Sequence, residues 1–237
     1  MSTLRRIATP FALMAAFVAF ATLAADRRET RPVAGFTGIA LAAPINVELV
    51  QGDTESLVLE GDEAALAELE TVVEQGVLKI RTRLHFTLRS FSKVRARVGA
   101  KSIDALRISG SGDIAATKLH ATDLKVAIGG SGDVRIGTLS ASRLDISVAG
   151  SGDVVVGGKA DTVSTSIAGS GDVKAGKLEA RDARVSIAGS GDAAVWAKES
   201  LKVSILGSGD VRYYGDPSLT RSILGPGSVL RAGAAPS

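Results

Sequence analysis

The second half of the chain repeats one pattern of apolar and polar positions at a short period. Apolar residues alternate with small or polar residues, which predicts β-strands, and β-branched side chains dominate the apolar positions. The tetrapeptide Gly-Ser-Gly-Asp begins at residues 110, 130, 150, 169, 189 and 207, and a degenerate copy, GPGS, begins at residue 225. Two residues before each copy stands an isoleucine or valine: Ile108, Ile128, Val148, Ile167, Ile187, Ile205 and Ile223.

The spacing of 18 to 20 residues predicts an all-β fold, a right-handed parallel β-solenoid. A repeat this short has no room for a helix and two strands, so each repeat would form one coil of two or three strands. Coils would stack with strands about 4.8 Å apart, and parallel crossovers almost always wind to the right. The apolar columns would then form the interior.

We interpret the repeated tetrapeptide as the corner of each coil. Glycine reaches positive φ at little cost, and serine and aspartate can hydrogen-bond exposed backbone amides in turns. This structural role is favoured over a chemical site. The corner residues are Gly110, Asp113, Gly130, Asp133, Gly150, Asp153, Gly169, Asp172, Gly189, Asp192, Gly207 and Asp210.

The preceding third is less regular. The alternation predicts strands within residues 36–53, 56–62, 76–83 and 94–100, and residues 62–70 have the pattern of one short helix with Asp62 as its N-cap. One domain is expected, with an irregular part at 31–105, repeats at 106–227 and a tail at 228–237.

Residues 1–25 have the composition of an export signal. Arg5 and Arg6 precede an apolar run that ends in small residues, and cleavage after residue 21, 24 or 25 would fit. An uncleaved membrane anchor is the alternative, although the run is short for a span. Cleavage would lower the net charge from +3 to +1, and the 237 residues include no cysteine. We expect a periplasmic or extracellular protein, without a transmembrane span after cleavage and without a nucleic-acid partner.

The motifs together resemble a known family. RPVAGFTGIALAAPINVELVQGD is followed by LVLEGDE, by VEQGVLKIRTR and then by the repeated GSGDV. This ordered set, from about Arg31 to about Gly227, is similar to the bacterial head GIN domain family, described as heads of putative autotransporter adhesins. The resemblance implies an exported solenoid domain and no assigned catalytic residues.

Two features break the repeat and are candidate ligand-binding sites. The first is a basic run: between Glu74 and Asp104 there are eight Lys or Arg and no acid, and Arg81, Arg83, Arg95 and Arg97 would share one outer face. They could attract anionic polymers or lipid headgroups, or simply form a solvated face. The second is Trp196 with Tyr214, four residues after Asp192 and Asp210. They could form a sugar platform, but covering the solenoid end is the favoured role, because terminal repeats must shield the stacked core.

The sequence offers few other residues that could bind a metal or catalyse a reaction. The aspartates would form one row, but one carboxylate per coil supplies too few oxygens for calcium, so no metal or cofactor is predicted. The two histidines, His85 and His120, are far apart in sequence, so no histidine cluster for metal binding is predicted. We therefore expect a non-enzymatic adhesion or cell-envelope interaction module whose partner is an envelope polysaccharide or protein. A carbohydrate-active solenoid enzyme and a periplasmic structural or stress-associated domain are the alternatives.

Overall fold

The chain forms a β-solenoid of about six turns, which confirms the fold class. The computed structural model describes residues 27–83, 91 and 93–234, so the predicted export signal and the basic residue Arg89 lie outside the described residues. The first elements are β1 (Arg27–Arg31), β2 (Gly38–Ala42), β3 (Asn46–Gln51), β4 (Ser56–Gly61), α1 (Glu63–Ala67), β5 (Leu69–Glu74), β6 (Val77–Thr82), β7 (Arg95–Ala100) and β8 (Ala105–Gly110). The coils follow as β9 (Asp113–Gly130), β10 (Val134–Gly150), β11 (Val154–Gly169), β12 (Val173–Gly189), β13 (Ala193–Gly207), β14 (Val211–Tyr214), β15 (Ser218–Leu224) and β16 (Val229–Gly233).

Each complete coil has three faces. In β10 the parallel pairing with β9 skips Gly137 and Ser142, where the chain bends. The first face, after the Gly-Ser-Gly-Asp corner, is residues 134–136; the second is 138–141; and the third is 143–150. Later coils stack on these faces in parallel.

The interior consists of stacked apolar columns, as the alternation predicted. Strand geometry sends alternate side chains inward, so residues in register meet inside the coil. One buried column contains Ile128, Val148, Ile167, Ile187 and Ile205. Burial of such columns is the main favourable contribution to the fold.

The N-terminal part extends two of these faces. On the first face the order is β1-β4-β7-β3-β9, and on the third face β5, β6, β2 and β8 lead to β9. Strand β4 is antiparallel to both of its neighbours, and β5 is antiparallel to β6. These antiparallel strands therefore finish the N-terminal end of an otherwise parallel stack.

Helix α1 begins as predicted but ends early. Asp62 is the N-cap, and its side chain accepts a hydrogen bond from the Ala64 N–H at 2.9 Å. The prediction that the helix extends to Glu70 is wrong, because Leu69 and Glu70 start β5 and pair with Thr82 and Arg81. Arg31 fixes this transition by donating to the carbonyl oxygens of Leu66 and Leu69 at 2.7 and 2.6 Å.

One polar residue interrupts the apolar interior. Thr165 is 1% exposed and lies between Ile146 and Val185 in a buried column. Its hydroxyl has no hydrogen-bond partner within the described residues. A buried hydroxyl that loses its water without gaining a partner destabilises the folded state.

We expect Thr165→Val to raise the free energy of unfolding by about 1 kcal/mol, because it removes that hydroxyl at nearly constant volume. Urea unfolding would measure the change. Thr162→Val on the same strand is the control, since Thr162 is half-buried at the surface. Equal effects of the two substitutions would contradict the conclusion that the buried Thr165 hydroxyl destabilises the fold.

Candidate functional site

The repeated corners are built by close stacking of backbone. The first glycine of every copy, including Gly225, has φ between +131° and +150°, a region that favours glycine. The second glycine is required for a different reason. A Cβ on Gly152 would lie 2.1 Å from the carbonyl oxygen of Gly132 in the previous coil. The corners therefore admit no side chain at either position.

The aspartates of the corners form a continuous hydrogen-bonded ladder. One carboxylate oxygen of each aspartate accepts the backbone N–H of the equivalent residue in the next coil, at 2.8 to 3.1 Å. The ladder contains Asp113, Asp133, Asp153, Asp172, Asp192, Asp210 and Ser228. Nowhere in the described residues are three or more metal-binding side chains grouped to hold an ion. The row thus connects coils, in keeping with the corner interpretation.

Two basic side chains lie beside this ladder on the first face. Arg135 lies between Asp133 and Asp113, at 2.7 and 3.8 Å. Lys174 lies in the same way between Asp153 and Asp172, at 2.8 and 3.5 Å. Burial would raise the pKa of Asp153, but hydrogen bonds from Lys174 and from the Asp172 N–H together lower it below its usual value. The cations reduce the repulsion between neighbouring carboxylates.

Because the pKa of Asp153 is lower in the folded state, its contribution to stability is present above its unfolded pKa of about 3.9 and is lost as the pH falls further. We expect Asp153→Asn to reduce the loss of stability between pH 5 and pH 2. Urea midpoints across that range would measure it. Asp145→Asn is the control, because Asp145 has no ion pair in the described residues. An unchanged pH profile for Asp153→Asn would contradict this prediction.

Three cations of the basic run, Lys79, Arg81 and Arg97, are paired with carboxylates. Arg81 donates two hydrogen bonds to Glu70, at 2.9 and 3.0 Å, and thereby lowers the pKa of that carboxyl. Arg97 donates two to Glu48, at 2.9 and 3.1 Å. The linear run suggested an unpaired basic surface because the paired acids lie elsewhere in the sequence.

The four arginines also do not share one face. Arg81 belongs to β6 and Arg83 follows it, in the strand stack of the third face. Arg95 and Arg97 belong to β7, in the stack of the first face. The expectation of one outer basic face is therefore wrong, because β6 pairs with β2 on the third face whereas β7 pairs with β3 on the first.

The aromatic residues, in contrast, are brought together. Trp196 and Tyr214 pair directly in the register of β13 and β14, and both are half-buried. The ring of Tyr214 reaches back over a preceding coil, where a Cβ on Gly176 would lie 3.1 Å from its Cε2 atom. The prediction that the two aromatic residues cover the solenoid end is wrong, because strand β16 pairs beyond β14 and leaves them on the side of the solenoid.

A small depression of about 110 Å³ lies on the first face, and Ala194 in its lining is two residues before Trp196 on β13. Ala194 lies between Lys174 and Arg212 along this face, with Asp192 and Asp210 at the corner. Arg212 occupies the same column as Arg135 and Lys174, yet it forms no ion pair within the described residues. Arg212 was not predicted as a site residue, although it stands two residues after the motif aspartate Asp210, as Arg135 does after Asp133. We define the patch as Trp196, Tyr214, Arg212, Ala194, Asp192 and Asp210.

A larger, open groove of about 930 Å³ lies at the N-terminal edge of the second face, where Ser102, Asp104 and Thr122 contribute to its lining. The backbone of His120 at this edge is satisfied by the side chain of Gln51, which donates to its carbonyl oxygen at 3.0 Å and accepts its N–H at 2.7 Å. The groove is thus polar, and Gln51 takes the place of a strand at His120.

Comparison with known proteins identifies a family and several solved structures that share this architecture. The family model described as putative auto-transporter adhesin, head GIN domain, matches residues 35–217. The chain belongs to the head GIN domain family. The matched range of this head GIN protein contains the six ladder aspartates and all residues of the patch.

Solved structures share the fold of the head GIN protein. A putative adhesin from Bacteroides fragilis is 24% identical, with a TM-score of 0.84, and the match covers 87% of this chain and 97% of that one. A putative lipid binding protein from Parabacteroides distasonis is 26% identical, with a TM-score of 0.72, covering 87% and 96%. A putative adhesin from Parabacteroides merdae is 20% identical, with a TM-score of 0.70, covering 87% and 96%. Among curated proteins, none matches the chain significantly.

The described part of the head GIN protein contains no helix that is both long and apolar enough to span a membrane.

Proposed function

We propose that this head GIN protein is an exported, non-enzymatic module that adheres to polymers of the cell envelope. The observation that carries the proposal is the match to the adhesin head family over residues 35–217. The composition of residues 1–25 supports export, with the mature protein in the periplasm or outside the cell.

The architecture suits adhesion. The stacked columns and the aspartate ladder hold the interior constant from coil to coil, so outward residues can vary without disturbing the core. A solenoid thereby offers a long rigid surface on which contacts with an extended polymer can be distributed. Local departures from the repeat are then the natural positions for specific contacts.

The electrostatics support binding without catalysis. Every carboxyl group of the described residues with a shifted pKa, namely Glu55, Glu70, Glu74, Asp153 and Asp182, has its pKa lowered. These groups stay charged at neutral pH, and hydrogen bonds from neighbouring residues account for each shift. A general acid would instead need a raised pKa.

The test starts from the full chain expressed in a bacterium. Mass spectrometry of the fractionated protein should find a mature N-terminus after residue 21, 24 or 25 outside the cytoplasm. The purified mature protein should bind saturably to intact cells and to isolated envelopes. Cytoplasmic accumulation of the uncleaved chain, or absence of binding, would overturn the proposal. Release of reducing sugars from envelope polysaccharide would instead support a carbohydrate-active enzyme.

A further inference from the structure

The patch is the place where the outer surface of the coils departs most clearly from the repeat. Four residues after the motif aspartate, the earlier coils carry Thr117, Gly137, Gly157 and Gly176, whereas the last two carry Trp196 and Tyr214. The inward positions beside them still serve the core, because Val195 and Val211 are buried and Tyr213, in register with Val195, packs against it. The aromatic side chains are therefore additions to the surface and are not required by the stacking of the core.

The space around Tyr214 depends on small residues. Its ring lies against Gly176, and the position of a Cβ on Gly176 is 3.7 Å from the Cβ of Ala194. Ala194 in turn contributes to the depression between Lys174 and Arg212. An aromatic surface thus borders a shallow depression with an apolar floor.

The polar groups of the patch have hydrogen-bonding capacity left over. The Arg212 side chain forms no hydrogen bond or ion pair in the described part of the chain, although Lys174 in the same column contacts two aspartates. Asp192 and Asp210 each use one oxygen in the ladder, and their second oxygens have no partner among the described residues. The patch therefore offers a five-donor guanidinium and two free carboxylate oxygens within one depression.

We propose that the patch binds one neutral pyranose unit of a glycan, which names the ligand of the adhesion function proposed above and rests on it. The apolar face of the sugar would lie on Tyr214 and Trp196, whose rings combine a large apolar surface with a polar group. Its hydroxyl groups would accept from Arg212 and donate to Asp192, since a hydroxyl can do both. An acidic sugar fits less well, because its carboxylate would face Asp192 and Asp210.

The experiment uses the intrinsic fluorescence of Trp196, because the chain contains a single tryptophan. The full chain is titrated with four neutral polysaccharides (dextran, mannan, laminarin and galactan) and with anionic polygalacturonate. At least one neutral polysaccharide should cause a saturable change in emission. Tyr214→Ala should weaken its binding roughly fivefold, and Arg212→Ala roughly tenfold.

Arg135→Ala is the matched control, because Arg135 occupies the same column but is engaged with the ladder. It should leave sugar binding unchanged. Urea midpoints of all variants would confirm that they fold, and Arg212 is the safest test because its side chain is exposed. Preference for polygalacturonate, no emission change with any neutral polysaccharide, or equal effects of Arg212→Ala and Arg135→Ala would overturn the proposal.

Cell binding separates this proposal from the one on which it rests. If the wild-type protein binds cells and both patch variants bind equally well, adhesion stands and the sugar site is wrong. If the wild-type protein does not bind cells, adhesion itself is wrong. Weaker cell binding by Tyr214→Ala and Arg212→Ala, but not by Arg135→Ala, would support both.

Discussion

Replacing Gly152 with alanine is expected to lower the free energy of unfolding by about 3 kcal/mol, whereas the same change at Gly129 should be nearly neutral. The added Cβ at residue 152 would lie 2.1 Å from the carbonyl oxygen of Gly132 and 2.9 Å from a methyl group of Ile128. Both contacts are with the preceding coil, so relief requires the coils to move apart. Gly152 does not have a positive φ, and the cost is therefore one of packing.

Gly129 is the matched control because it lies outside the corner on the same solenoid. The nearest atom to its added Cβ would be the carbonyl oxygen of Ile108 at 3.8 Å, an ordinary contact. In the register of the sheet, the equivalent positions of later coils carry Ala149, Ala168 and Ala188. Alanine there also reduces the freedom of the unfolded chain.

Urea unfolding of the two variants would measure the difference in free energy. The Gly152→Ala substitution should also weaken the stacking of neighbouring coils near residue 152. Amide hydrogen exchange should therefore increase first at the corners of β10 and β11. Equal stability of the two variants would contradict the proposed role of close backbone stacking. Such a result would mean that only the first glycine of each corner, which has a positive φ, is required by the fold.

The repeat was predictable because each coil contacts mainly its neighbours. When the period is fixed, residues such as Ile128 and Val148 must meet, and the alternation then determines which side chains face inward. The corner role of the repeated tetrapeptide followed from the conformational freedom of glycine. The hydrogen bond from the N–H of one aspartate to the carboxylate of the preceding one did not follow, because turn chemistry usually satisfies amides within the same turn.

The N-terminal part was harder to predict because its pairings are not periodic. Residues 62–70 have a helical pattern over the whole segment, but Leu69 is removed from the helix by antiparallel pairing with β6. The basic run shows the same limit. Its sequence contains no acid, yet Glu70 and Glu48 pair with Arg81 and Arg97 from strands that precede the run in the chain. Local sequence cannot reveal charges that arrive through tertiary contacts.

The other large expected effect concerns self-association through the C-terminal strand β15. Within the described residues β15 pairs only with β13, so its outer edge has no strand partner. Its inward column is Leu219, Arg221 and Ile223, in register with Leu201, Val203 and Ile205. Leu224 is 70% exposed beside this edge. An apolar edge of this kind is prone to pair with another chain, and an inward-pointing charge is a known protection against it.

Arg221 is well placed to provide that protection. If two copies of β15 paired antiparallel about Arg221, Leu219 of each would lie opposite Ile223 of the other. The apolar side chains of the two strands would then face each other. The two arginines would then meet at the centre of the inward column, where like charges are unfavourable. Arg221 also occupies the position that every earlier coil fills with an apolar residue or Thr165.

We therefore expect Arg221→Val to increase self-association at least about tenfold, equivalent to about 1.4 kcal/mol. Sedimentation velocity over a range of concentrations would measure the association constant. Arg221→Lys should behave like the wild-type protein, because it keeps the charge. Arg221→Glu alone should not associate more strongly, but mixed with the wild-type chain it should form a heterodimer, since opposite charges would meet at the centre. Wild-type behaviour of Arg221→Val would show that the charge at this edge does not control pairing, and the exposed leucines would then need another explanation.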